Sequence, residues 1–351
     1  MTTPSDPPAP LTPAQQDAAF RPSHTPATPW PALAQALAEA GIAAHVHGAA
    51  PADGVTGVSL DSRVVRPGDL YVAVPGAHAH GAAFAATALE AGAVGVLTDA
   101  AGRALLAEQG LADVPVLEVD AVRTAAGTVA ARVYGGGGDA GPRLLGVTGT
   151  NGKTTTSFLA AALLEALGRR SGIVGTILIR AGEREVPSTL TTPEATQLHA
   201  LMALMREEEV DTAVMEVSSH AVAYQRIAGL RYAVAGFTNL TQDHLDMHGS
   251  MQEYFAAKAG LFDPARTDHA AAGSREVLAR LYPDAVLATR EDATAFGLNS
   301  VSDGRHVFIA PQAEALATRL SEHGYVPVPV DLSEFRKAGG GIKCCTQEIR
   351  S

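Results

Sequence analysis

Leu144-Leu145-Gly146-Val147-Thr148-Gly149-Thr150-Asn151-Gly152-Lys153-Thr154-Thr155 passes from an apolar strand into a glycine turn, then into a helix with Leu159, Leu163 and Leu167 at i+4 spacing. The helix is expected to stop at Gly168, with Arg169 and Arg170 placed to favour its negative carboxyl end. A strand, a Gly-rich turn and a helix opened by Gly-Lys-Thr form the setting of a phosphate-binding loop. Glycines let backbone N–H groups approach phosphate oxygens, and the helix amino terminus adds partial positive charge. Lys153 has the reach for the β and γ phosphates of ATP, and the Thr154 hydroxyl suits Mg²⁺. Gly149, Thr150, Asn151, Gly152 and Thr155 complete the candidate nucleotide-binding set. The common pattern has Gly where this chain has Val147, which points to a subtype of the loop. The bland alternative is a plain Gly-rich turn.

Two further apolar runs, Thr212-Ala-Val-Met-Glu216-Val217 and Ala233-Val-Ala-Gly-Phe237, are separated by segments of helical character. Such alternation predicts a P-loop-type α/β domain: a largely parallel sheet with helices on both faces and ligands outside the carboxyl ends of the strands. Polar residues cluster at those ends. Glu216 precedes Ser218-Ser219-His220, and Thr238-Asn239 precede Asp243-His244-Leu245-Asp246-Met247-His248. A nucleotide carrying magnesium needs such oxygen and nitrogen ligands to neutralise the charge of phosphoryl transfer. Glu216 and His244 are therefore candidate catalytic metal ligands; the alternative is that they cap helices or bridge surface loops. Lys258 lies in an expected helix, Met251 to Phe262, beside the apolar stripe Met251, Phe255, Ala259 and Phe262. Unaided, it reads as a lysine snorkelling its ammonium to water.

Toward the amino terminus, Gly135 to Gly138 and Asp139-Ala-Gly-Pro142 cannot hold a regular element, which marks 135–143 as a linker. Residues 31–134 alternate Ala/Leu-rich segments with short Val-rich runs such as Asp69-Leu70-Tyr71-Val72-Ala73-Val74, and read as a small α/β domain. Residues 1–30 carry repeated Pro without apolar periodicity and are expected to be a disordered tail. With 351 residues and 46% hydrophobic content the chain can build several cores and is too apolar for wholesale disorder. Its 26 Lys+Arg against 37 Asp+Glu give −11 with no basic run, which argues against nucleic acid as a partner. The two cysteines, Cys344 and Cys345, are adjacent, so no disulfide framework or CxxC metal site is available. No apolar run reaches the roughly 18 residues of a membrane span and no signal-peptide pattern is present, so a cytoplasmic protein without membrane insertion is expected.

Six segments stand in the order found in the Mur ligases: Gly149-Thr-Asn-Gly-Lys-Thr-Thr155, Ser188-Thr-Leu-Thr-Thr192-Pro193, Met215-Glu-Val-Ser-Ser-His220, Phe237-Thr-Asn239-Leu240, Asp243-His-Leu-Asp246 and Tyr254-Phe-Ala-Ala-Lys258. Over about residues 45–266 the chain resembles this family, and within it the ligases that add a diamino acid to UDP-N-acetylmuramoyl-L-alanyl-D-glutamate in peptidoglycan synthesis. Leu60-Asp61-Ser62-Arg63 and Gly76-Ala-His78-Ala-His80-Gly81 are similar to the uridine-nucleotide domain of that group. The resemblance implies that ATP phosphorylates the D-Glu carboxylate and that the diamino acid's amine attacks the acyl phosphate, giving an amide, ADP and phosphate. Lys153 and Thr154 would hold ATP and Mg²⁺, Asn239 would join the nucleotide site, and Glu216 and His244 would be further metal ligands. The lysine matching Lys258 is carbamylated in the family, which turns an ammonium into a carboxylate-like metal ligand. Thr191, Thr192, Ser218 and Arg226 match contacts to the acyl peptide, with Tyr224 where relatives carry Gln; Leu60, Ser62 and His78 match the uridine site. The implied partners are the UDP-linked dipeptide and a diamino acid, and the expected state is a monomer.

After Asp263-Pro264-Ala265-Arg266 the resemblance breaks, and the Asp-Asn-Pro-Arg motif that reads the diamino acid in the family does not occur. Ala295-Phe-Gly-Leu-Asn299, Gly324-Tyr-Val-Pro-Val-Pro-Val and Gly339-Gly-Gly-Ile-Lys-Cys344-Cys-Thr resemble the carboxyl end of the guanidino-group-modifying superfamily of arginine deiminase, dimethylargininase and amidinotransferase. There a cysteine attacks the guanidinium carbon, and Cys344 matches it; the bland alternative is an inert buried thiol. The expected organisation is a UDP-sugar domain (31–134), an incomplete ATP-binding domain (144–266) and an unrelated α/β tail (267–351). Three functions compete: an ATP-dependent amide ligase, a non-catalytic nucleotide-binding fusion, and a guanidino-hydrolase fragment.

Overall fold

The structure, a computed structural model, describes residues 12–76, 78–135, 141–186, 190–270 and 300–331, with single residues between 286 and 297 and residue 333. It divides into two bodies. One holds the chain to Gly149, Lys153–Thr238 and Asp246–Ala270; the other holds Thr150–Gly152, Asn239–Leu245 and the residues after 270.

The first body opens with helix α1 (Pro13–Phe20), whose Gln15 N–H donates to the hydroxyl of its N-cap Thr12. Proline at the helix start sacrifices no hydrogen bond. The expectation of a disordered tail over 1–30 is thereby corrected for the residues from 12 onward. What holds them is remote in sequence: buried Arg21 donates to Asp17 and, two-pronged, to Asp69, all at 2.7 Å. The Ser23 and His24 N–H groups then reach the Glu207 carboxylate.

Helix α2 (Trp30–Glu39) buries Trp30, Leu33 and Leu37 on one face. Strands β1 (Ala44–His47), β2 (Gly57–Ser59) and β3 (Asp69–Val72) follow, then α3 (Ala85–Glu90), β4 (Gly95–Thr98), α4 (Ala100–Glu108), β5 (Val116–Val119) and α5 (Val122–Tyr134). The sheet runs β1-β5-β4-β3-β2, parallel except for β1. Strands β2, β3 and β4 are buried throughout, as strands covered on both faces must be. Asp69 is the charged exception, and Arg21 neutralises it.

The central part contains β6 (Arg143–Thr148), α6 (Lys153–Ala166), β7 (Ser171–Val174), β8 (Ile179–Ala181), β9 (Arg184–Val186), α7 (Ala195–Glu207), β10 (Thr212–Glu216), α8 (Ser219–Ala223), β11 (Tyr232–Phe237), α9 (Leu245–His248), α10 (Met251–Ala259) and β12 (Thr267–Ala270). Its sheet order is β12-β11-β6-β10-β7-β8-β9, with the first five strands parallel and β8 and β9 antiparallel. Pairing of β12 with β11 carries this sheet past the boundary expected at residue 266. From β6 the chain crosses toward β7, and from β10 toward β11, in opposite directions. Right-handed crossovers then place α6 and α8 on opposite faces, and the crevice at the strand ends between them is where ligands collect.

Two helix faces differ from the sequence pattern. In α6 the buried residues are Ser157 and Ala161, while Leu159 and Leu163 are 65% and 55% exposed and Leu167, just after the helix, is 68% exposed. In α10 the buried side chains are Tyr254 and Lys258, and Phe255 is half exposed. The snorkelling alternative for Lys258 is thus excluded: the residue is 1% exposed.

His199 of α7 is buried against the Ala228 carbonyl, 2.9 Å from Nε2, and burial pushes its pKa down to about 4 from 6.5. The folded state therefore resists a proton that the unfolded state takes up. Stability from this residue is full above pH 6.5 and is lost as pH falls toward 4, by roughly 2 kcal/mol between pH 6 and 4.5. Urea titrations over that range should show the slope, and His199→Gln should flatten it.

The second body includes β13 (Val301–Ser302), β14 (His306–Ile309), α11 (Glu314–Glu322) and β15 (Val326–Pro329). Strands β14 and β15 are parallel, β13 is antiparallel to β14, and Leu316 of α11 buries with Ile309 and Ala313. An α/β tail is what the sequence predicts here. Cys344 and Cys345, like linker residues 136–140, lie outside the described residues. Among the described residues no helix is long and apolar enough to cross a membrane.

Candidate functional site

Register sets the site. Glu216, the last residue of β10, pairs with Val147 of β6, and Phe237 of β11 pairs with Thr148, so three strands end level with the glycine turn. Gly149 and Gly152 take φ of 145° and 85°, conformations that a side chain disfavours. In the first body the Gly149 carbonyl accepts from two ammonium groups, Lys153 Nζ at 2.9 Å and Lys258 Nζ at 2.8 Å. Lys258 also lies over the Tyr254 ring, 4.5 Å from its centre. The structure therefore brings Lys258 to the phosphate loop across 109 residues.

Glu216 is fully buried. Its Oε2 accepts from the Thr154 hydroxyl at 3.0 Å and the Thr176 hydroxyl at 3.2 Å, and its Oε1 from the Thr176 N–H at 3.2 Å. Burial pushes the Glu216 carboxyl above the usual range, against the Thr154 and Thr176 hydrogen bonds and the Lys153 charge that pull it down. Such a carboxylate gains when a cation arrives. Gly175 leaves the necessary room, since a Cβ there would fall 2.3 Å from Glu216 Oε1. Among the described residues no three or more His, Cys, Asp or Glu cluster as a metal site. One carboxylate beside a threonine hydroxyl suits magnesium, which keeps waters and phosphate oxygens as its other ligands.

Thr192 ties the adjoining segment to the same strand end: its hydroxyl donates to the Glu216 carbonyl at 2.8 Å and accepts from the Ser218 N–H at 3.2 Å. Ser218 caps α8, accepting from the Ala221 N–H, and Thr191 meets Thr176 through their hydroxyls at 3.0 Å. Arg226 reaches the Thr192 carbonyl at 3.4 Å. Thr191, Thr192, Ser218 and Arg226, far apart in sequence, thus form one neighbourhood next to Glu216. Sequence reasoning missed Thr176 and Gly175; their position just after β7 in a parallel sheet was the available signal.

In the second body, Asn239 and Asn151 bond reciprocally: the Asn151 N–H donates to Asn239 Oδ1 at 3.0 Å, and Asn239 Nδ2 to the Asn151 carbonyl at 3.1 Å. Thr150 N–H adds a bond to the Asn239 carbonyl, and the Thr150 hydroxyl bridges to Thr241. Asn239 therefore fixes the backbone of the loop. His244 has a left-handed φ of 52° and lies 3.4 Å from Asp243 Oδ2.

The uridine candidates sit at the ends of neighbouring strands, with Leu60 and Ser62 after β2 and the exposed His78 after β3. Beside them, His80 accepts from the Ala82 N–H and pairs with Asp99 at 3.0 Å, and Arg63 pairs with Asp61.

Residues 54–134 match the family model "Mur ligase family, catalytic domain" and residues 147–314 match "Mur ligase middle domain". These are Mur ligase N-terminal and middle domains. The middle-domain match continues beyond 266, into the stretch the sequence separates as a tail. The UDP-N-acetylmuramoyl-L-alanyl-D-glutamate–2,6-diaminopimelate ligase of Streptomyces avermitilis is 47% identical over 249 residues, which is 70% of this chain and 46% of that protein. The UDP-N-acetylmuramyl-tripeptide synthetase of Leifsonia xyli is 50% identical over 248 residues, 71% of this chain and 46% of its own length. A solved structure of a UDP-N-acetylmuramoyl-L-alanyl-D-glutamate–2,6-diaminopimelate ligase superposes with a TM-score of 0.52 at 28% identity, covering 66% of this chain and 47% of that one. The fold is Mur ligase-like, and the chain spans about half the length of the curated relatives it matches.

Proposed function

We propose that the chain is the nucleotide and acyl-substrate portion of an ATP-dependent ligase acting on UDP-N-acetylmuramoyl-L-alanyl-D-glutamate, with a diamino acid as the incoming amine. The observation that carries this reading is the Thr154 hydroxyl at 3.0 Å from the buried Glu216 carboxylate, next to Lys153 and within the Mur ligase match. Lys153 would hold the phosphates of ATP, and the Thr154 hydroxyl and the Glu216 carboxylate would hold Mg²⁺. When bound, the magnesium nucleotide supplies the phosphoryl group for the D-Glu carboxylate. Lys153 would offset phosphate charge, and Thr192 and Ser218 would order the acyl end. His244 as a further metal ligand, and a carbamate on Lys258, follow from the family resemblance; the burial of Lys258 at Gly149 supports the second.

Trapping tests the reading. With ATP, Mg²⁺, UDP-linked dipeptide and hydroxylamine, the chain should give a dipeptide hydroxamate and phosphate; phosphate release equal with and without dipeptide contradicts it. The guanidino-hydrolase reading of Cys344 rests on sequence resemblance, and citrulline formation from arginine is its test.

A further inference from the structure

Tyr224, just after α8, is 42% exposed, and two guanidinium carbons lie 5.8 Å from its ring centre, those of Arg123 and Arg226. They come from different parts of the first body. Arg123 is in the first turn of α5, whereas Arg226 follows α8 in the central part. Both guanidinium groups also converge on one carboxylate, that of Glu194, the N-cap of α7. Arg226 Nε is 2.8 Å from Oε1 and Arg123 Nη1 is 3.5 Å from Oε2. The first contact is close but misdirected: buried Arg226 Nε makes no aligned hydrogen bond. The second is long. Two cations thus share one carboxylate loosely, leaving an excess positive charge beside an exposed phenol.

Thr192, which accepts from Arg226, also bonds the Glu216 carbonyl and the Ser218 N–H, so this charge borders the proposed acyl site. The dipeptide ends in D-Glu, which has two free carboxylates, and a ligase that activates one must hold the other. A guanidinium pair suits that task, because its planar donors match a carboxylate edge.

We propose that Arg123 is a substrate-binding residue which, with Arg226, grips the D-Glu carboxylate that is not phosphorylated, and that Glu194 occupies the two guanidinium groups until the substrate displaces it. The assignment of Arg123 rests on the ligase reading and adds a specificity element supplied by the N-terminal part of the chain.

Calorimetry on the full chain tests it with two probes, UDP-N-acetylmuramoyl-L-Ala-D-Glu and UDP-N-acetylmuramoyl-L-Ala. The parent should prefer the first. Arg123→Ala should lower affinity for the dipeptide about tenfold and leave the monopeptide unchanged, with partial retention in Arg123→Lys. Glu194→Gln should tighten dipeptide binding severalfold by removing the competing anion, whereas mere damage to the α7 cap would weaken it. If Arg123→Ala keeps the parent's preference, or loses both affinities equally, the role of Arg123 is overturned while the ligase reading stands. A parent that does not distinguish the two probes overturns both.

Discussion

Lys153→Ala is expected to lower MgATP affinity by about 10- to 100-fold, the scale of losing a charge-assisted hydrogen bond to phosphate. In the structure the Lys153 ammonium folds back onto the Gly149 carbonyl, at the turn where β6 gives way to α6. A nucleotide phosphate would draw it from that neutral acceptor to a charged one. The side chain is partly exposed, so the variant should fold normally, and an unchanged melting temperature separates loss of the charge from loss of the fold. Calorimetric titration with MgATP is the check, and undiminished affinity would remove the phosphate-loop assignment.

Arg21→Ala is expected to destabilise the first body by about 3 to 5 kcal/mol, the cost of leaving buried charge unpaired. Asp69 is 1% exposed and Asp17 8%, and both receive a 2.7 Å hydrogen bond from Arg21. Denaturant unfolding measures the loss, and replacing Asp69 by Asn in the same chain should recover part of it. A residue in a disordered tail would change stability by less than about 0.5 kcal/mol, so the two pictures of this segment give clearly separate results.

These two residues mark what the sequence could and could not convey. Gly149 to Thr155 is a local pattern in which turn, charge and helix start are adjacent, and the fold places it as the pattern requires. Arg21 depends on a partner 48 positions away, for which Pro-rich composition gives no sign. Periodicity identified α6 and α10 as helices but not their buried faces. Ser157 and Ala161 let α6 lie close to the sheet and leave Leu159 and Leu163 outside, and Lys258 turns inward because the Gly149 carbonyl and the Tyr254 ring receive its ammonium. The polar residues at the ends of β10 and β11 were legible because strand ends collect ligands in a parallel sheet. Thr176 was not, since a short strand leading into a hairpin carries little pattern of its own. The convergence of Arg123 and Arg226 on Glu194 joins three separate segments and has no local signature at all.

Titrating the parent chain with ATP, first in magnesium and then in EDTA, asks most directly whether Lys153, Thr154 and Glu216 form a magnesium-nucleotide site. The expected result is binding that weakens at least about tenfold when magnesium is removed, with Glu216→Gln showing the same loss in the presence of the metal. Equal affinity in EDTA and in magnesium, or a Glu216→Gln variant that binds MgATP like the parent, would contradict it.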